Sequence, residues 1–384
     1  MKNLLPVYPV FQIEPVRGEG CYVYDKDDNR YLDFYGGHAV ISIGHGHPVM
    51  KERLKSQIDA LMFYSNSIIN SKQQQVAEKI LSLSGISEDF KFFMVNSGAE
   101  ANENAVKLAS MANGKNTFVV LENGFHGRTA AALSLTDKMK HRTAFDTDFK
   151  VVKIPINDIG ALEQVMKDES VCAITTEAIQ GIGGIYTCSP LYLKAIRKLC
   201  DENQSLWIAD EVQCGFGRSG KFWAFQHADV EPDIITMAKG MGNGFPVGGL
   251  MIKESVLPIE YGMAGTTFGG NHLACEAVLS VLEVLESENL IQRASEKGEW
   301  IKQELIQMMG VKEVRGKGLM IGIEMDFPIA ELRKKLILEE KIFTGSSSQK
   351  HTLRLLPPLN ITDDAINHFL QTLQKSISAF IEVI

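Results

Sequence analysis

The sequence predicts an α/β protein: a mainly parallel sheet covered by helices, followed by a smaller α+β part. Three observations predict it. From about residue 72 to 270, short apolar runs alternate with helical patterns, which implies strand–helix–strand units. Beyond about residue 275 that alternation gives way to longer helical stretches and isolated strands. The length, 384 residues, fits about two domains.

In chain order, Gly20–Tyr24 and Arg30–Phe34 flank the turn residues Asp27-Asp28-Asn29 and read as a hairpin. Candidate strands follow at Phe92–Val95, Thr117–Leu121, Val151–Ile154, Cys172–Thr175, Leu206–Ala209, Ile234–Met237 and Leu250–Ile252. Among the helices between them, one has a clear start: Ser189 at the N-cap, Pro190 at the first helical position, then Leu191, Leu193, Ile196 and Leu199. The later part predicts a helix over Ala277–Glu286 and another near 297–309. A strand over Leu319–Met325, a helix over Ile329–Glu340, a strand over Leu353–Leu356 and a last helix over Thr362–Phe380 complete it. In a parallel sheet of this kind, ligands sit at the carboxyl ends of the strands.

Composition narrows the function. The chain is 45% hydrophobic and 22% charged, with a net charge of −8, so nothing points to a polyanionic partner. No apolar stretch approaches the ~20 residues that span a bilayer. Met1-Lys2-Asn3-Leu4-Leu5-Pro6 lacks the apolar core of a signal peptide. The six cysteines never fall in a C-x-x-C spacing, which argues against zinc and fits a reducing cytosol. His45 and His47 lack a third ligand, and no G-x-G-x-x-G stands in strand–helix context.

The chemistry concentrates just past the candidate strands. Lys239 follows the run Asp233–Ala238, and Asp210 ends the run Leu206–Ala209. A desolvated lysine has a lowered pKa, and its neutral amine can attack a carbonyl. A lysine and a carboxylate at neighbouring strand ends are what pyridoxal phosphate needs, the amine for the Schiff base and the carboxylate for the pyridinium proton. Asn96–Asn102 follows a strand and opens a helix, where free amides and the helix dipole favour phosphate. Ser97 and Glu100 also have the spacing of a plain capping box. Phe125-His126-Gly127-Arg128 supplies an aromatic ring and a guanidinium suited to a carboxylate. Gln213 and the hydroxyls of Thr266 and Thr267 are further candidate contacts. Each motif alone also reads as a surface loop or a cap. It is their order that singles out one chemistry.

In these motifs the chain resembles the class III (ω-amino) aminotransferases, fold type I of the pyridoxal-phosphate enzymes, on the acetylornithine/succinylornithine branch. The resemblance also covers Tyr35–Val40, Glu177–Gly181, Asp210–Arg218, Ala238–Gly249 and Thr266–Asn271. It implies a large cofactor-binding domain over 46–274 and a small domain built from 1–45 and 275–384. It implies that Lys239 carries the cofactor, that Asp210 pairs with the pyridine nitrogen and that Gln213 lies near the ring hydroxyl. Ser97, Gly98 and Ala99 would hold the phosphate, and Phe125 would cover the ring. Arg128 would take a substrate carboxylate, with His38, Glu177, Thr266 and Arg354 near the substrate. Thr267 would reach the phosphate from the partner subunit of a homodimer. The implied reaction moves the terminal amino group of an N2-acylornithine to 2-oxoglutarate in arginine biosynthesis. The rivals are an ornithine or 4-aminobutyrate aminotransferase, a semialdehyde aminomutase, or a non-catalytic binding protein on the same scaffold.

One departure matters. The family's Glu-Pro-Ile-Gln-Gly-Glu run reads Glu177-Ala178-Ile179-Gln180-Gly181-Ile182 here. The family's final Glu pairs with an Arg that matches Arg354. Without it, a buried Arg354 needs another anion, which favours a succinyl over an acetyl substrate. The alternative is an Arg354 solvated at a strand edge, with the acetyl compound as substrate.

Overall fold

The computed structural model describes residues 3–137, 149–168 and 170–381. The amino-terminal part folds as β1 (Pro15–Glu19), β2 (Tyr22–Asp25) and β3 (Arg30–Asp33), with the expected hairpin between β2 and β3. α1 (Gly36–Ala39), α2 (Pro48–Ala60) and α3 (Ser71–Ser84) follow. The central part alternates as predicted: β4 (Phe90–Val95), α4 (Gly98–Asn113), β5 (Thr117–Leu121), α5 (Ala130–Leu135), β6 (Lys150–Ile154), α6 (Ile159–Val165), β7 (Val171–Thr176), α7 (Pro190–Asn203), β8 (Leu206–Asp210), β9 (Ile234–Met237) and β10 (Gly248–Lys253). The remainder is α8 (His272–Ser287), α9 (Leu290–Leu305), β11 (Val311–Lys317), β12 (Met320–Met325), α10 (Ala330–Leu338), β13 (Ile342–Phe343), β14 (Gly345–Ser346), β15 (Thr352–Leu355) and α11 (Asp363–Ile381).

The central sheet has seven strands in the order β4-β10-β9-β8-β7-β5-β6. Strands β6, β5, β7, β8 and β9 are parallel, and β10 runs against both β9 and β4. Every residue of β5, β7 and β9 is buried, as strands covered on both faces must be. The caps read from the sequence form. Ser189 Oγ accepts from the Tyr192 amide at 3.1 Å, with Pro190 in the first turn of α7. Because β8 and β9 pair Asp210 with Thr236, their carboxyl ends lie side by side. Asp210 and Lys239 therefore issue from one edge of the sheet.

Two smaller sheets complete the fold. One runs β1-β2-β3-β13, the other β11-β12-β15-β14. The predicted helix near 297–309 lies earlier, as α9, and the one over Ala277–Glu286 begins at His272. Asn271 explains that start, because its side chain accepts from the Ala274 amide at 2.9 Å. The expected boundary at 275 thus falls inside α8. Strand β11 escaped the sequence reading because its residues Val-Lys-Glu-Val-Arg-Gly-Lys carry few apolar side chains. His45 and His47, the pair weighed as metal ligands, contact separate carboxylates, Asp33 at 2.8 Å and Glu288 at 2.9 Å.

Arg218 joins the central part to the carboxyl-terminal part. It is buried, and its guanidinium donates to the carbonyls of Leu319 (3.2 Å), Ile41 (3.2 Å) and Pro357. Burial brings its pKa down to about 9, opposed by the charge of Asp33. Nearby, α9 crosses the Lys317–Met320 turn at Gly298, where an added Cβ would overlap the Gly318 carbonyl. Gly298→Ala is therefore expected to destabilise the fold by about 1–3 kcal/mol through overpacking. A urea midpoint equal to or above wild type would contradict that packing.

Candidate active site

Asp210 sits at the end of β8 in a buried network drawn from four elements. Its Oδ2 accepts from His126 Nδ1 at 2.7 Å and from Asn102 Nδ2 at 2.8 Å. Its Oδ1 accepts from the Val212 amide at 3.1 Å. Asn102 also donates to the His126 carbonyl at 2.7 Å and accepts from Thr236 Oγ1 at 2.8 Å. The carboxylate is held by the loop after β5 and by α4, and β9 holds Asn102 in turn. Burial alone would pull the His126 pKa down, but the hydrogen bond and charge of Asp210 and the charge of Glu177 hold it above its ordinary value.

Lys239 follows β9 in the left-handed region, at φ +46°. A non-glycine residue there costs roughly 1–3 kcal/mol and persists only where its surroundings fix it. No hydrogen bond or ion pair holds its ammonium among the described residues. Burial lowers its pKa, opposed by the charges of Asp210 and Glu177. Glu177, just past β7, is buried and accepts from the Phe125 and Gly181 amides, each at 2.9 Å. Burial pushes its pKa up. Its hydrogen bonds therefore tie the β5 and β7 loops together. Gln213 donates to the His38 carbonyl at 3.3 Å, and a Cβ at Gly181 would overlap its Oε1.

Helix α4 begins beside Lys239. Ser97 Oγ accepts from the Glu100 amide at 3.1 Å, the cap expected from its spacing. The Gly98 and Ala99 amides have no intrahelical acceptor. Gly98 cannot carry a side chain, since its Cβ would lie 2.7 Å from Val212 Cγ1. Arg128 follows the β5 loop and donates to Tyr8 Oη at 2.9 Å. Its guanidinium carbon lies 5.8 Å from the Phe125 ring centroid. Within one chain Thr266 Oγ1 accepts from Asn96 Nδ2 at 3.2 Å, while Thr267 is exposed.

Arg354, on β15, is 2% exposed, so it is not solvated at a strand edge. It donates to the Ser346 carbonyl at 2.6 Å and to Gln213 Oε1 at 3.4 Å. Tyr35 and His38 frame the same space, their rings hydrogen-bonded to each other. They are presented by α1, a single turn in which Gly36, Gly37, His38 and Ala39 all have positive φ, between 56° and 70°. Partial burial and the charges of Arg354, Lys239, Arg128 and Arg333 drive the His38 pKa down to about 4.

The site therefore gathers Lys239, Asp210, Glu177, Gln213, His38, Arg128 and Arg354, with Gly98 and Ala99 beside them. Sequence reasoning gave no role to His126 or Asn102, though both lie within motifs that it singled out. It missed Arg333 altogether, because an arginine on an ordinary helix carries no local signal.

The sequence profile of the family described as Aminotransferase class-III matches residues 6–377. The chain belongs to the class-III aminotransferases. This aminotransferase is 42% identical to the acetylornithine aminotransferase of Caldanaerobacter subterraneus, over 98% of each chain. Among solved structures it is similar to the ornithine aminotransferase of Toxoplasma gondii, with TM-score 0.93 and 30% identity, covering 100% of this chain and 94% of that one. It is also similar to the acetylornithine aminotransferase of Elizabethkingia anophelis, with TM-score 0.87 and 34% identity over 98% and 97% of the two chains. The fold is that of fold type I, and the cofactor is pyridoxal phosphate.

The residues of this aminotransferase fit that cofactor. Lys239 offers a desolvated amine without a partner among the described residues. Asp210 offers a buried anion whose Oδ1 has a single amide donor, so acceptor capacity remains. The first turn of α4 offers free amides where phosphate is favoured.

One consequence can be measured directly. Asp210→Asn removes the charge that holds the His126 pKa up, so that pKa is expected to fall below its wild-type value. Imidazole NMR titration of both proteins reads the shift. An unchanged or higher value would show that Asp210 does not set the His126 charge.

Proposed function

We propose that this aminotransferase moves the 5-amino group of an N2-acylornithine to 2-oxoglutarate, giving the N-acylglutamate semialdehyde and glutamate. The reaction would serve arginine biosynthesis. The observation that carries the site assignment is the desolvated Lys239 beside the Asp210–His126 pair. The substrate reading is supported by identity of about 40% to acetylornithine aminotransferases over nearly the whole chain.

Bound here, pyridoxal phosphate supplies an electrophilic carbonyl and an electron-accepting ring. Lys239 anchors it and then moves a proton at Nζ, to and from the substrate carbon that bears the amine. The lowered pKa of Lys239 keeps more of that amine neutral than an exposed lysine would have. Asp210, itself held by His126 and Asn102, would hold the proton of the ring nitrogen. Ser97, Gly98 and Ala99 would receive the phosphate, Phe125 would cover the ring, and Gln213 would lie near its hydroxyl. Arg128 and Arg354 bind carboxylates, with His38, Glu177 and Thr266 around the substrate.

The assembly in this reading is a homodimer, with Thr267 of one subunit reaching its partner's phosphate. The exposed apolar side chains of Leu61, Met62, Phe63, Ile68, Ile69 and Phe268 support it, because they lie near the loop that carries Thr267. The division into a large unit (46–274) and a small unit (1–45 and 275–384) belongs to the same reading, supported by the pairing of β13 with β3. A cytosolic setting is supported by six unpaired, buried cysteines. Among the described residues, no helix is long and apolar enough to cross a membrane.

Lys239→Ala is expected to purify folded, without the cofactor's protein-bound absorbance and with turnover reduced about 10²–10⁴-fold or more. Wild-type-like turnover would sink the assignment. Asp210→Asn is expected to lose more than about tenfold in kcat, since an amide cannot hold the ring proton against water at a cost of about 1.4 kcal/mol per pKa unit. A smaller loss would make Asp210 a packing residue only.

A further inference from the structure

The substrate pocket holds more positive charge than its own acids balance. Arg128, Arg333 and Arg354 form no ion pair with any carboxylate among the described residues. Arg128 donates to Tyr8 Oη at 2.9 Å. Arg354 donates to the Ser346 carbonyl and to the Gln213 amide oxygen. Arg333, on α10, donates through Nε to the Thr344 carbonyl at 2.9 Å, and its guanidinium carbon lies 5.3 Å from the Phe11 ring centroid. These partners are neutral. The three guanidinium groups and Lys239 all act on His38, and Arg333 and Arg354 both act on Tyr35. Backbone geometry joins Arg333 to Arg354: the Thr344 carbonyl that holds Arg333 adjoins Gly345, which pairs with Arg354 between β14 and β15 and packs on the Tyr35 ring.

The pocket's acids are hydrogen-bonded elsewhere, and only the charge of Glu177 reaches Arg354, without an ion pair among the described residues. Asp210 is taken by His126 and Asn102, and Glu177 by two backbone amides. Ile182 supplies no carboxylate. Its loop meets the connection between β14 and β15, where the Ile182 carbonyl accepts from the Ser348 amide at 2.9 Å, and Arg315 bridges the Gly184 carbonyl to Thr352 Oγ1 on β15. Arg333 lies close enough to lower the Arg354 pKa, although burial is the larger cause. Buried Arg354 and half-buried Arg333, like charges side by side, favour an anion between them.

The two substrates of a transamination occupy one pocket in turn. 2-Oxoglutarate brings two carboxylates. An N2-acylornithine with a neutral acyl group brings one, and would leave two guanidinium groups without a counter-ion. An acyl group that itself ends in a carboxylate brings two, the same number as 2-oxoglutarate in the other half of the reaction. We propose that Arg333, together with Arg354, forms a site for a second substrate carboxylate, so that Arg333 selects an N2-acylornithine with an acidic acyl group, such as N2-succinylornithine. This rests on the N2-acylornithine reading above. Arg333 acts here as a specificity-determining residue. Its guanidinium, fixed by the Thr344 carbonyl and roofed by Phe11, presents its remaining N–H groups as a fork to a carboxylate.

The experiment compares kcat/KM for N2-succinylornithine and N2-acetylornithine in the holoenzyme, with 2-oxoglutarate as acceptor. Wild type is expected to prefer the succinyl compound by roughly ten- to a hundredfold, the size of one charge-assisted hydrogen bond. Arg333→Gln is expected to collapse that preference about tenfold or more, mainly through KM, and Arg333→Lys to restore part of it. Preference for the acetyl compound in wild type would overturn the proposal and leave the acylornithine reading standing. An equal fall for both compounds in Arg333→Gln would overturn it as well, because Arg333 would then serve the fold or 2-oxoglutarate. If neither compound reacts while free ornithine or 4-aminobutyrate does, the acylornithine reading fails and the proposal fails with it.

Discussion

The carboxylate of Asp210 is the constraint on which the rest of the site depends. It is buried at the end of a strand, and a buried charge persists only when it is paired and hydrogen-bonded. The pairing is supplied by His126 and Asn102, and Asn102 is itself held by Thr236. One ion therefore locks a loop, a helix and two strands. The same loop carries Phe125 and Arg128, and the same helix begins at Ser97, Gly98 and Ala99. Fixing the anion thus fixes the candidate ring, phosphate and carboxylate contacts together.

Close packing enforces this arrangement. Gly98 has no room for a Cβ against Val212, and Gly181 has none against Gln213. Lys239 and the Gly36–Ala39 turn are held in left-handed backbone that most residues avoid. Strain of this order gathers where side chains must be presented in one direction. Here it presents Lys239, His38 and Tyr35 to a common space.

Charge shapes the other side of that space. Its arginines are satisfied by carbonyls, an amide oxygen, a phenol and aromatic rings. Neutral partners of this kind orient a guanidinium without neutralising it, and so they leave its charge available to a ligand. Arg218 shows the contrast. Three backbone carbonyls hold it, and there the same chemistry joins parts of the fold.

Much was legible in the sequence because it is local. The strands of the central sheet are short and mostly apolar, so each announced itself. Ser189 and Pro190 marked the start of α7, and the motif residues lie within a few positions of strand ends. Lys239, Asp210 and the start of α4 could be placed from those signals alone. Strand β11 could not, because polar residues on a partly exposed strand break the pattern. Which distant residues meet is a matter of tertiary structure. Only the fold placed His126 and Asn102 behind Asp210, buried Arg354, and brought Arg333 from α10 and Phe11 from the amino-terminal segment to one pocket. Local sequence fixes what a segment prefers. The charge balance of a site depends on segments hundreds of residues apart, and packing alone decides which of them share it.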